Sequence, residues 1–299
     1  MEPSATPGPP AAPPPDLPPG RPPAARPTRL TAWQGGLAAF LGIVTSQLTG
    51  GLVAALTIGV LLVMSGGGVE QAEALETTLP VLAMGTLALQ ATLVAFAFIT
   101  PLIARVGTRD ALGLRGAPAL TFVAACLGAL GLGPVADALM VAFSSLAPDL
   151  TLGTLADMMD VFRRSPAWLL WPLIALVPGL CEELFFRGLL QRSLGNGPLA
   201  IGVAAVAFAL VHLDPPHVLG VLPLGLFFGW VAARTGSVLV PIVAHVSNNT
   251  VSLIAVHVSV LDVGFGTDRP MPHWWAGAGA ALAATCVLVI FWATRRRPV

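Results

Sequence analysis

Charge is what this chain lacks. Only 10% of its 299 residues are charged, against about 25% in a soluble domain. So few charges cannot build a water-facing surface. The apolar residues, 55% of the sequence, must therefore face something other than water. Lysine is absent: all fifteen basic residues are arginine, balanced by fifteen acids. With no net charge and no basic patch interleaved with aromatics, a nucleic-acid partner is not expected. Cysteine is also scarce. Cys126, Cys181 and Cys286 sit singly in apolar runs, which gives neither a disulfide framework nor metal-ligand spacing. Each reads as a small buried hydrophobe. Cys181 precedes two glutamates, but no base at a helical neighbour position is there to activate it.

What the chain has in abundance is apolar runs of about 20 residues, the length that crosses roughly 30 Å of hydrocarbon. Eight spans are expected, at about 33–64, 79–104, 118–146, 166–193, 198–213, 216–233, 237–258 and 274–294. The fold class is thus all-α: a polytopic membrane helix bundle of about eight transmembrane helices. The first span is too long for one perpendicular helix, so it tilts or breaks near Gly50–Gly51. The third is interrupted around Gly131–Pro134. Turns as short as Leu194–Gly197 make the consecutive helices between 166 and 258 antiparallel neighbours. Before the first span, twelve of the first 27 residues are proline, which predicts an extended or disordered tail.

Arginine placement orients the chain. With the N-terminus inside, eight spans leave eleven arginines on the cytoplasmic face, including Arg105, Arg109, Arg115 and the Arg295–Arg297 cluster. Only Arg163, Arg164 and Arg269 fall outside, and Arg187 lies within a span. That asymmetry follows the positive-inside rule. It predicts an integral membrane protein with both termini cytoplasmic, and the arginine-only, alanine-rich composition points to a bacterial inner (plasma) membrane.

Several polar residues interrupt the apolar spans. The fourth span carries Glu182, Glu183 and Arg187 within one and a half turns. Three unpaired charges would oppose insertion by about 7–10 kcal/mol. Glu183 and Arg187 are i, i+4 neighbours and can pair along the helix, leaving Glu182 free for another partner. The fifth span carries His212, with Phe208 one turn earlier. Glu182 and His212 each lie fifteen residues from residue 197. Both therefore stand about 22 Å from the turn, at one depth on adjacent helices, where a carboxylate and an imidazole can bracket a water. The seventh span carries His245 and Asn249 on one helical face, beside Ser247 and Asn248. Such groups can donate to a developing oxyanion. Packing glue would explain one polar pair but not ionisable groups on three helices. Pro178 and Gly179 loosen the backbone one turn before the glutamates.

Three short patterns recur here in order: E-E-x-x-x-R at Glu182, Glu183 and Arg187, F-x-x-x-H at Phe208 and His212, and H-x-x-x-N at His245 and Asn249. In this the chain resembles the CPBP family, the CAAX-protease and bacteriocin-processing intramembrane peptidases that include the type II CAAX prenyl endopeptidases. The resemblance implies a glutamate-dependent endopeptidase acting on a membrane-associated peptide or protein. It makes Glu182 the base that activates water, helped by His212. His245 and Asn249 become the oxyanion pair, and Glu183 and Arg187 supports. It divides the chain into a Pro-rich tail (1–30), N-terminal spans outside the match (31–117), a protease-like core (118–258) and a last span with a basic tail (259–299). No cofactor is required by this reading. A divalent metal such as zinc could use one Glu and two His, and family members are commonly labelled metalloproteases, but no H-E-x-x-H is present. Two other classes use similar residues: a proton-coupled transporter, and a non-catalytic membrane scaffold or bacteriocin-immunity protein.

Overall fold

A computed structural model describes residues 29–150, 154–258, 261, 263–265, 267 and 269–295. The proline-rich tail before Arg29 and the last arginines, Arg296 and Arg297, lie outside the described residues. Every regular element described is helical. In chain order the main helices are α1 (Ala32–Ser65), α2 (Leu79–Ile103), α3 (Ala119–Leu146), α4 (Thr154–Arg164), α5 (Ala167–Leu194), α6 (Pro198–Leu210), α7 (Pro215–Thr235), α8 (Leu239–His257) and α9 (His273–Ala293). Among the described residues, seven helices are long and apolar enough to cross a membrane; α4 and α6 are the exceptions. The chain is a polytopic helical membrane protein.

The boundaries have local causes. Thr31 opens α1 with a capping box, its backbone N–H donating to Gln34 Oε1 at 3.1 Å. Gly66 closes it at φ 65°. Between those signals α1 runs unbroken through Gly50–Gly51 for 34 residues, about 51 Å, so the expected break does not occur. Nor is α3 interrupted: Pro134 is accommodated inside a continuous helix. The fifth expected span is shorter than its apolar run. Regular helix ends at Leu210 after 13 residues, about 20 Å, and His212 lies in the turn beyond it.

The bundle has two halves. α1 pairs with α2, both pack on α5, and α6 packs on α5, around Leu93, Phe185, Phe186 and Phe208. α3 packs on α7, α8 and α9 around Phe227, Phe228 and Cys286. The α3–α9 crossing is close: a Cβ on Gly131 would meet the Gly279 carbonyl oxygen at 2.6 Å. In lipid, such backbone approach is a main source of helix association. α5 is the central element, with 56% of its apolar window buried against 6% for α1. The outer faces are apolar. On α6, Leu199, Val203, Val206 and Leu210 form an exposed stripe, suited to acyl chains rather than water.

Candidate active site

α5 departs from regular helical geometry where its charges lie. Trp171–Leu176 and Glu183–Gln191 are π-helical, with α-helical Val177–Glu182 between them. Pro172 and Pro178 supply no N–H, which releases carbonyls one turn earlier and favours widened turns. Glu183, Arg187 and Gln191 form a polar column at four-residue spacing, all three fully buried. Beside it, Gly179 brings α8 against α5. A Cβ there would stand 2.6 Å from Val246 Cγ2 and 3.0 Å from the Val246 backbone nitrogen. This close approach lets His245, one residue earlier on α8, reach the glutamates.

Glu183 is the hub. Its Oε1 accepts from Arg187 Nη1 at 2.8 Å, as the i, i+4 spacing predicts. The same oxygen also accepts from His245 Nδ1 at 2.9 Å. Arg187 is further fixed by a hydrogen bond from Nη2 to the Gly225 carbonyl at 3.0 Å, and its guanidinium lies 4.3 Å from the Phe208 ring centroid. A carboxylate can only accept here, so Nδ1 of His245 carries the hydrogen and its Nε2 points away from Glu183. That Nε2 lies 4.0 Å from Glu182 Oε2, too far for a direct hydrogen bond and suitable for one bridging water. Glu182 Oε1 accepts from Gln90 Nε2 on α2 at 2.6 Å.

His212 is oriented by the turn that follows α6. Its Nδ1 lies 2.9 Å from the Phe208 carbonyl oxygen. A carbonyl cannot donate, so Nδ1 carries the hydrogen and the neutral ring keeps Nε2 as an acceptor. The Phe208 ring makes edge contacts with His212 at 5.2 Å and His245 at 5.8 Å, so one aromatic side chain touches both imidazoles as well as the arginine. Asn249 lies one turn beyond His245. Its Nδ2 donates to the Ile174 carbonyl in the first π turn at 2.9 Å, tying α8 to α5. One amide hydrogen of Asn249 is left over.

Glu182, Glu183, Arg187 and His245 are thus in mutual reach, with His212 joined to them through Phe208. Two site-forming residues are not in the sequence reading. Gln90 comes from a span assigned outside the protease-like core. It is an amide in an apolar run, the same kind of exception that singled out the glutamates. Phe228 stacks on His245 at 5.1 Å and 20°, and an apolar residue in an apolar span gives no signal. At the edge of the site, Asp214 is 2% exposed, and its Oδ2 accepts the Leu155 N–H of α4 at 3.3 Å.

A metal needs ligand atoms about 2 Å from one point. Among the described residues, no group of three or more His, Cys, Asp or Glu is gathered so as to hold an ion. With Nδ1 of each site histidine engaged by a carboxylate or a carbonyl, Nε2 is the nitrogen left for an ion, but these two nitrogens and the Glu182 carboxylate are not gathered around one point. The arrangement does not fit a metal, and no step is routed through one.

Comparison with known proteins adds independent support. Residues 164–251, under a third of the chain, match the family model described as type II CAAX prenyl endopeptidase Rce1-like. The chain is also 31% identical over 99 residues to YdiL, a candidate membrane peptidase of Bacillus subtilis (strain 168). That alignment covers 32% of this chain and 40% of YdiL. No solved structure matches the chain. The family-model match spans all three motifs and the segment that builds the buried Glu–His–Arg cluster, and over that segment the chain is similar to the type II CAAX prenyl endopeptidases.

Proposed function

We propose that this protein is an intramembrane endopeptidase, hydrolysing a peptide bond of a membrane-associated peptide or protein with water activated by Glu182. The observation that carries the reading is the buried 4.0 Å gap between Glu182 Oε2 and His245 Nε2, with Glu183 behind the imidazole. A water in that gap can give a proton to Glu182, with Nε2 of His212 as a second acceptor. The water oxygen then bonds to the scissile carbonyl carbon, and the carbonyl π electrons move onto oxygen. In its doubly protonated form His245 donates Nε2–H to that oxyanion. Glu183 serves as counter-ion, and the remaining Asn249 N–H is a second donor. Collapse breaks the C–N bond, and the proton held by Glu182 passes to the departing amine. Arg187 touches no reacting atom in this scheme; it balances the charge of Glu183.

The proposed setting is a bacterial inner membrane with both termini cytoplasmic. The test is a proteomic comparison of membranes carrying wild-type protein or Glu182→Ala. The expected result is one or more membrane-associated proteins cleaved only with the wild type. Identical profiles would overturn the peptidase reading and leave a scaffold or immunity role.

A further inference from the structure

The family match begins at residue 164, yet a residue far upstream of it holds the proposed base. Gln90 lies in α2 and is 3% exposed. Its Nε2 donates to Glu182 Oε1 at 2.6 Å, a short, charge-assisted hydrogen bond of the stronger kind. Among the described residues its own Oε1 is buried without a hydrogen-bond partner. The two carboxylate oxygens of Glu182 are thereby made unequal. Oε1 is occupied by Gln90, and Oε2 faces His245. A glutamate side chain has three rotatable bonds, and the second contact fixes which oxygen meets the water.

We propose that Gln90 is a positioning residue for the reaction: it anchors Oε1 of Glu182 so that Oε2 takes the proton. This rests on the reading of Glu182 as base. It also makes the N-terminal spans part of the active site rather than an appended anchor.

Gln90→Met tests it, since methionine keeps the length and packing of the side chain and removes both polar atoms. Infrared difference spectra between wild type and Glu182→Gln in detergent isolate the Glu182 carboxyl band without any substrate. That band is expected to shift in Gln90→Met; an unmoved band overturns the hydrogen bond itself. With a set of internally quenched fluorogenic peptides in micelles, Gln90→Met should lower kcat roughly ten- to a hundredfold with little change in KM, the scale of one hydrogen bond to a charged group. In the Glu182→Gln background it should cost nothing further. A full additional loss there would mean that Gln90 acts by packing alone, and would overturn the proposal. Wild-type turnover by Glu182→Gln would instead overturn the base reading, an outcome distinguishable because the infrared shift reports the Gln90 bond independently.

Discussion

Glu183 accepts the Nδ1–H of His245 across the α5–α8 interface at 2.9 Å, through the same oxygen that pairs with Arg187. One buried carboxylate thus serves a structural cation and an imidazole of the site. Removing either charge of the Glu183–Arg187 pair leaves the other uncompensated in an apolar interior, a loss of roughly 3–5 kcal/mol. Glu183→Gln and Arg187→Ala should therefore melt well below wild type in detergent. Glu182→Gln, which leaves that pair intact, should melt close to it. Equal melting temperatures for the three variants would refute the division of roles.

Turnover should follow a different order from stability. Glu182→Ala is expected to lose about 10²–10⁴-fold, as removal of a general base does. Asn249→Ala should lose about 10²–10³-fold, the scale of one oxyanion donor. Cys181→Ser should turn over like wild type, which separates this chemistry from that of a thiol protease. A chelator should leave activity unchanged. Inhibition by chelator that zinc reverses would show that the same side chains rearrange around an ion.

The α5–α8 approach offers a test remote from the polar atoms. Gly179→Ala puts a methyl group at 2.6 Å from Val246, and overpacking of this kind costs about 1–3 kcal/mol. The helices must part, which lengthens the His245–Glu183 contact. Activity should fall in Gly179→Ala. The control Gly202→Ala, where no atom lies within 4 Å of the added carbon, should behave as wild type. Matching activities would mean that the interface has slack.

Topology can be read directly. A reporter fused at Ala72, in the acidic connection between α1 and α2, should report the periplasmic side. One fused after Arg297 should report the cytoplasm. A cytoplasmic signal at Ala72 would reverse the orientation drawn from the arginines.

Much of the site was legible because membrane spans make polar residues conspicuous. Glu182, Glu183, Arg187, His212, His245 and Asn249 each stand against an apolar background, and the i, i+4 spacing was enough to pair Glu183 with Arg187. Which helix faces which was not legible. The equal distance of Glu182 and His212 from their turn made them partners at one depth. Glu182 also faces His245 on α8 at 4.0 Å, because Gly179 permits an approach that no periodicity encodes. The π turns were hidden for a similar reason: they depend on carbonyls released by Pro172 and Pro178 and on neighbours that accept the widened helix. Gln90 is the same kind of exception, an amide in an apolar run, but α2 carries none of the three motifs.

The brevity of α6 has a consequence for the lipid. Its exposed stripe, Leu199 to Leu210, offers about 20 Å of helix to hydrocarbon roughly 30 Å thick. Acyl chains on that flank must compress or splay to meet it, at a modest cost for each ångström of mismatch. A helix this short favours a thinner bilayer on that flank, and His212 lies in the turn just beyond it. The thickness of the surrounding bilayer, set by its acyl chains, therefore bears on how α6 and the turn that follows it are seated.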